Sequence, residues 1–246
     1  MKNKKLIRMY VILLAAVAVL LLAGLVISAL TDGEGIFAKL AELGGAYVSL
    51  ALGAVVILIL LLLFAVKEEE SGKWSTKQIV TGALSIALAF ILSYIRLYKM
   101  PQGGSITPAS MLPIFLFAYI YGSKKGLIVA VAFGFLQYLQ DPGSVIHWAQ
   151  LIIDYIFAFG ALAAAGLFRK NIVPGILLGA ALRLFFAVLS GVIFFAEYAP
   201  AGQSPIIYSL VYNASYMIPE AIICCVVALV PAMRKSIEQL RFEAQK

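Results

Sequence analysis

The sequence has few residues of the types that form metal sites, disulfide frameworks and many catalytic centres. It contains one histidine and two cysteines among 246 residues, and charged residues make up only 13% of the chain. A single histidine excludes a multi-histidine metal site. Cys224 and Cys225 are adjacent, which makes a bond between them difficult, so we expect them to pack as small apolar groups. We therefore predict a protein without a metal ion or other cofactor.

Also missing are the motifs with which proteins bind nucleotides or hydrolyse substrates. The chain has no GxxxxGK[S/T] phosphate-binding loop. It also has no serine or carboxylate dyad with an identifiable catalytic spacing. These absences predict that the chain is not an enzyme. If it moves a solute across a membrane, the energy must come from another subunit or from an ion gradient.

The sequence is rich in long stretches of apolar residues. Hydrophobic residues make up 63% of it, and its mean hydropathy is +1.01. A helix that crosses the hydrocarbon core of a bilayer needs about 20 mostly apolar residues. The stretches that meet or approach this length are residues 9–30, 46–66, 79–97, 111–121, 127–139, 148–168, 173–195 and 206–233. The pattern predicts an all-α integral membrane protein without a soluble domain.

The distribution of basic residues predicts the orientation. With the N-terminus in the cytoplasm, most of the 19 Lys and Arg residues fall on the inner side of these helices, as the positive-inside rule requires. Both termini are therefore predicted to be cytoplasmic. The net charge of +7 is then explained by basic loops that face anionic membrane lipid, so no nucleic-acid partner is expected.

A polar segment divides the chain into two membrane parts. Residues 67–75 are predicted to form a cytoplasmic linker between an N-terminal transmembrane helix pair, residues 1–66, and a six-helix membrane domain, residues 76–240. The first pair has almost no polar residue within its spans, which suits anchoring or packing rather than recognition of a solute. The six-helix domain is the candidate for function.

Polar and aromatic residues of the six-helix domain concentrate at the outer side of the membrane. This asymmetry favours a binding pocket that faces outward over a channel open to both sides. The positions expected there include residues 101–105, Gln137, Asp141, His147, Trp148, Gln150, Asp154, Tyr155, Glu197, Tyr198, Tyr208 and Asn213.

Charged residues also occur within the predicted spans. Asp154 is either a structural partner of Arg183 or a counter-charge for a cationic solute, and Gln150 lies one turn before it on the same face. Arg183 and Glu220 have similar depths and are predicted to form a buried structural pair. Phe195 offers an aromatic face near Asp154, which would attract a flat cationic ring.

Four segments carry a resemblance to a known family: MPQGGSITPASMLPIF, QLIIDYIFAF, GVIFFAEYAPAG and YSLVYNASYMIP. In this order and spacing they resemble the thiamine-specific S components of energy-coupling factor transporters, over residues 76–233. The resemblance implies a six-helix, vitamin-binding subunit of the bacterial cell membrane that captures thiamine from outside. It also implies a transmembrane coupling protein and two cytoplasmic ATPases as the partners that power import.

The same resemblance implies roles for individual residues. Asp154 takes the place of the acidic residue that bonds the aminopyrimidine ring, and Phe195 takes the aromatic stacking position. With the neighbouring polar and aromatic residues added, the predicted ligand-binding set is Asp154, Tyr155, Phe195, Tyr208, Asn213, Gln150, Trp148 and His147. Ala83 and Ala87 resemble the small-residue motif by which the family docks on its coupling protein.

Two positions depart from the family pattern. Ala187 stands where the family usually has a ligand-contacting histidine, and Ala201 replaces a frequent lysine. They leave a thiamine precursor or another small heteroaromatic vitamin open as the ligand. The other alternative is a self-sufficient proton-coupled carrier that uses Arg183 and Glu220.

Overall fold

The computed structural model describes residues 74–168 and 170–244, and the predicted helix pair of residues 1–66 lies outside them. The described residues form helices α1 to α7 and one short antiparallel hairpin. The helices are α1 (Thr76–Tyr94), α2 (Leu112–Tyr121), α3 (Ser123–Gln140), α4 (Trp148–Leu167), α5 (Val173–Phe194), α6 (Pro205–Leu229) and α7 (Pro231–Ala244). The strands are β1 (Tyr98–Lys99) and β2 (Ser105–Ile106), and single 3₁₀ turns occupy Pro142–Ser144 and Ala196–Tyr198.

Four of the described helices, α1, α4, α5 and α6, are long and apolar enough to cross a membrane. Helix α2 has only 10 residues, and seven of them are buried among its neighbours. Phe115 and Phe117 of α2 are fully buried, and they pack in one apolar core with Phe133 of α3 and Leu162 of α4. The six spans predicted within residues 76–240 overlap α1 to α6, and most of α7 also lies within that range.

The last predicted span, residues 206–233, needs a correction. It is interrupted after Leu229, and Pro231 begins the separate helix α7. Proline lacks a backbone N–H and favours the first turn of a helix, which explains the break. Helix α7 packs back against the bundle through the buried Ile237, and Arg241 donates a hydrogen bond to the hydroxyl of Tyr119 at 2.8 Å.

The outer surface of the bundle is apolar. Leu84, Leu88 and Ile91 on α1, together with Ile222 and Val226 on α6, are each more than half exposed. A water-soluble bundle would not expose so large an apolar surface. The surface fits the hydrocarbon of a lipid bilayer, as the composition predicts.

Helix α4 is irregular along its length. Its first turn, Trp148–Leu151, is α-helical, Ile152–Phe157 is π-helical, and Ala161–Leu167 is a 3₁₀ helix. π-helical turns are rare in proteins, and many of those that occur lie at functional sites. Gly134 of α3 faces this turn, and a side chain at that position would collide with the backbone carbonyl of Tyr155.

The β-hairpin lies against α6. Strands β1 and β2 pair through Tyr98 with Ile106 and Lys99 with Ser105. At the tip, the hydroxyl of Tyr212 on α6 accepts a hydrogen bond from the backbone N–H of Gln102 at 2.8 Å and donates one to the carbonyl of Gly103 at 2.9 Å. A single tyrosine thus connects the hairpin tip to the last membrane helix.

Candidate functional site

The β-hairpin and helices α4, α5 and α6 surround a cavity of about 190 Å³, to which the ends of α1 and α3 also contribute residues. Carboxylate, amide, hydroxyl and aromatic groups lie in its wall. The predicted site residues that line it are Gln150, Asp154, Tyr155, Phe195, Tyr208 and Asn213. The structure thus brings together most of the residues proposed from the sequence, although they come from α4, α6 and the position just after α5.

Two predicted site residues do not line the cavity. His147 is the N-cap of α4, and its Nδ1 accepts a hydrogen bond from the backbone N–H of Ala149 at 3.1 Å. Trp148 is 71% exposed. Both residues lie at the N-terminal end of α4, so a ligand-binding role for them remains a prediction without geometric support.

Asp154 lies in the π-helical turn of α4 and is held from the neighbouring helix. The hydroxyl of Ser190 on α5 donates a hydrogen bond to Asp154 Oδ2 at 2.7 Å. Ser190 is buried and also lines the cavity. The two oxygens of a carboxylate offer about four acceptor positions, so Asp154 keeps acceptor capacity for a hydrogen-bond donor on a ligand.

Gln150 has a supporting role rather than a free amide. Its Oε1 accepts a hydrogen bond from the backbone N–H of Ile146 at 2.9 Å, and its Nε2 donates to the carbonyl of Ser144 at 3.2 Å. The hydroxyl of Ser144 in turn is 2.9 Å from that of Tyr155. These contacts fix the loop before α4 against the cavity.

Asn213 joins α5 and α6 at the cavity wall, because its Nδ2 donates a hydrogen bond to the carbonyl of Ala187 on α5 at 3.4 Å. Its Nδ2 donates to the carbonyl of Ser209 at 2.9 Å, and its Oδ1 accepts from the hydroxyl of Tyr216 at 2.7 Å. The two helices approach closely here, since a side chain at Gly191 would collide with Ser209. Asn213 therefore shapes the wall of the site and is already hydrogen-bonded on both sides of its amide.

The predicted buried pair of Arg183 and Glu220 is wrong. Arg183 and Glu220 do not form an ion pair in the part of the chain that the structure describes, where the surface ion pairs include Lys77–Glu243 and Arg234–Glu238. The guanidinium of Arg183 instead lies over the ring of Phe159, 4.2 Å from its centroid.

Glu220 is bound by two hydroxyls that the sequence analysis did not identify. Its Oε1 accepts hydrogen bonds from Thr107 at 2.6 Å and from Ser110 at 2.8 Å. Thr107 and Ser110 lie on either side of a tight turn at Ala109, whose φ is 65°. Pro108 favours a turn here, but the sequence does not show which distant side chain the two hydroxyls bind, so they could not be assigned to Glu220 in advance.

Aromatic rings line the mouth of the cavity. The rings of Phe195 and Tyr198 have centroids 5.8 Å apart, and those of Tyr208 and Tyr212 are 5.9 Å apart. All four residues belong to the cavity wall. Such a mouth suits a flat ring, and a positively charged ring gains further from the aromatic faces.

The predicted docking positions lie outside the cavity. Ala83 and Ala87 are exposed on α1, in the same apolar surface as Leu84 and Leu88. Small side chains on an exposed helix face allow another helix to approach closely.

Comparison with known proteins gives a consistent set of relatives. Residues 79–239 match the family model described as Thiamine transporter protein (Thia_YuaJ). The chain is 35% identical to the thiamine transporter ThiT of Bacillus subtilis over 168 residues, which cover 61% of this chain and 87% of that protein. It is 25% identical to ThiT of Lacticaseibacillus paracasei over 172 residues, which cover 61% of this chain and 83% of that protein. A solved structure of ThiT from Listeria monocytogenes shares the fold, with a TM-score of 0.59 at 23% identity over 67% of this chain and 96% of that one.

Proposed function

Because the chain belongs to the family of thiamine transporter proteins, we propose that it is the thiamine-binding subunit of an energy-coupling factor importer. The family membership confirms the predicted all-α membrane fold and the prediction that the chain is a transport protein rather than an enzyme. In the proposed function, the cavity captures thiamine from outside the cell, and partner subunits supply the energy for its import.

The observation that carries this proposal is a carboxylate that shares the wall of one cavity with several aromatic rings. Asp154 presents one oxygen to a donor group while Phe195 offers a ring face. Thiamine has an aminopyrimidine ring, which donates hydrogen bonds, and a thiazolium ring, which carries a positive charge. The charged groups within the membrane part of the cavity are Asp154, Glu220 and Arg183, so their sum favours a ligand with a single positive charge.

Calorimetric titration of the purified protein in detergent tests this proposal directly. We expect saturable binding of thiamine with one site per chain, and no heat from riboflavin or biotin. If a thiamine precursor binds more strongly than thiamine, the precursor is the ligand of this protein. Absence of saturable binding by thiamine and its precursors would refute it.

Two small, exposed side chains on α1, Ala83 and Ala87, support the proposed coupling to partner subunits. We propose that the exposed face around Ala83 and Ala87 docks on a transmembrane coupling protein, which works with two cytoplasmic ATPases. Replacing both alanines with leucine would hold the partner helix away. Thiamine binding in detergent should survive, while ATP-dependent uptake in cells that contain the partner subunits should fall.

Ala181→Leu is the matched control for this experiment. Ala181 is also exposed, but it lies on α5. Full uptake by the double leucine variant would refute the docking face. Uptake by the purified chain in liposomes without ATPases would instead support a self-sufficient carrier.

The basic residues support the proposed orientation with both termini in the cytoplasm. Lys77 of α1 is paired with Glu243 of α7, and Lys125 of α3 donates a hydrogen bond to Gln78 of α1, so these residues lie at one end of the bundle. The β-hairpin lies at the other end. Reaction of engineered cysteines with a membrane-impermeant reagent in intact cells should modify the hairpin and leave α7 unmodified.

A further inference from the structure

The inner end of the cavity contains a carboxylate with one oxygen available to a ligand. Glu220 is only 3% exposed, yet it belongs to the cavity wall. Its Oε1 accepts both hydrogen bonds from Thr107 and Ser110, and Oε2 accepts none from the residues that the structure describes. Oε2 is not among the fully buried side-chain atoms that lack a partner, so it keeps surface that is open to a ligand, and a hydrogen-bond donor on the ligand can bind there.

The carboxylate of Glu220 is held in position by the tight turn that contains Thr107 and Ser110. The backbone N–H of Ser110 donates to Thr107 Oγ1 at 3.1 Å, which holds the tight turn that presents both hydroxyls to the carboxylate. These two donors occupy Oε1 and so orient the carboxylate group. The side chain is therefore preorganised to offer Oε2, as a recognition residue must be.

Arg183 does not use the available oxygen. It lines the same part of the cavity, but one of its terminal nitrogens contacts the sulfur of Met111 and its Nε has no partner among the described residues. The positive charge of Arg183 partly offsets the negative charge of Glu220, and the guanidinium leaves Oε2 of Glu220 available to a ligand. The inner end of the cavity thus keeps both an acceptor and a nearby opposite charge.

The cavity has two carboxylates at different depths. On α5, Ser190 bonds Asp154, and Arg183 lies seven residues away, which corresponds to about 10 Å along a helix. On α6, Asn213 and Glu220 are separated in the same way. A ligand that satisfies both carboxylates therefore needs a hydrogen-bond donor at each end of an elongated molecule.

We propose that Glu220 is a second recognition residue, whose Oε2 accepts a hydrogen bond from the end of the ligand opposite the end bound by Asp154. This inference rests on the proposed function, because thiamine has the required arrangement. An amino group lies on its pyrimidine ring, and a hydroxyl ends the two-carbon arm of its thiazolium ring. The hydroxyl is the group assigned to Glu220.

This assignment is tested by comparing the affinities of two ligands for the wild-type protein and for several variants. The ligands are thiamine and an analogue with an ethyl group in place of the hydroxyethyl arm, and their affinities are measured by calorimetry. The wild-type protein should bind thiamine about tenfold more tightly than the analogue, as expected for a hydrogen bond to a charged group. Glu220→Gln should lose most of that preference, mainly by weaker binding of thiamine.

Two further variants make the experiment specific. Glu220→Asp keeps the charge but withdraws the oxygens by one methylene, and it should also lose the preference. Glu238→Gln is the matched control, since Glu238 is paired with Arg234 at the surface and lies outside the cavity wall. It should bind both ligands like the wild-type protein.

The outcomes separate this inference from the proposed function. Equal losses of affinity for both ligands in the Glu220 variants would show a structural role and overturn the inference. An unchanged preference for thiamine would overturn it as well, while thiamine binding by the wild-type protein would leave the proposed function standing. Failure of the wild-type protein to bind thiamine would overturn both.

Discussion

Replacing Asp154 with asparagine separates the effect of charge from that of shape at the centre of the cavity. Asparagine has nearly the same size, and its side-chain oxygen can still accept the 2.7 Å hydrogen bond from Ser190. The contact between α4 and α5 is therefore expected to persist. What the substitution removes is the negative charge that faces the ligand.

The size of the effect follows from the kind of bond that is lost. A hydrogen bond to a charged group contributes about 1.5–3 kcal/mol, whereas one between neutral groups contributes about 0.5–1.5 kcal/mol. Loss of the charged bond therefore weakens thiamine binding by at least about tenfold. The substitution should not destabilise the fold, because burying a neutral amide costs less than burying a carboxylate.

Calorimetry of the two proteins in the same detergent measures the effect, and a thermal unfolding scan without ligand shows whether the variant is folded. Asp141→Asn is the control, because Asp141 lies at the rim of the same cavity and is partly exposed. Solvent screens charges there, so this change should alter the affinity by less than about threefold. Unchanged affinity of the Asp154→Asn variant would remove Asp154 from the site. Equal losses in the two variants would indicate general charge attraction instead of a specific hydrogen bond.

Three other predictions concern the parts that surround the site. Tyr212→Phe removes the hydroxyl that holds the tip of the β-hairpin and should speed thiamine dissociation several-fold in a radioligand chase; an unchanged rate would show that the tip does not limit release. Gly191→Ala places a methyl group against Ser209 and should cost about 1–3 kcal/mol of stability, seen as a lower unfolding midpoint; an unchanged midpoint would contradict the close approach of α5 and α6. A chain that begins at residue 70 should bind thiamine with full affinity, since the cavity wall is built from residues between Ser93 and Glu220. A folded but inactive shortened chain would show that the first residues support the site.

Much of the fold could be predicted because membrane helices are defined by apolar length, which is a local property of the sequence. Helices α5 and α6 begin within a residue of the predicted positions. The predicted end of the first described helix at residue 97 was too late, because Tyr98 enters the β-hairpin and the helix ends at Tyr94. The π-helical turn of α4 could not be predicted, since the composition of a helix does not show which backbone carbonyl accepts the hydrogen bond of each N–H.

The candidate site was predicted in part for a similar reason. A carboxylate such as Asp154 is conspicuous within an apolar stretch, because it is costly there. Its partner Ser190 is an ordinary residue of such a stretch, and it lies 36 positions away along the chain. Thr107 is 113 positions from Glu220, and only the packing of the bundle brings the two together. Similar depth alone suggested that Arg183 would bond Glu220, but the two hydroxyls are nearer.

The last membrane helix holds the β-hairpin at two places. Tyr212 fastens its tip, and Glu220 binds Thr107 just beyond its root. The two anchors differ in burial, because Thr107 and Glu220 are buried whereas Gln102 at the tip is exposed. The hydrogen bonds of Tyr212 are therefore the ones that must break first if the tip moves away from α6. A single side chain would then control both the entry of a solute past the tip and its return, so a substitution at Tyr212 should change both rates together.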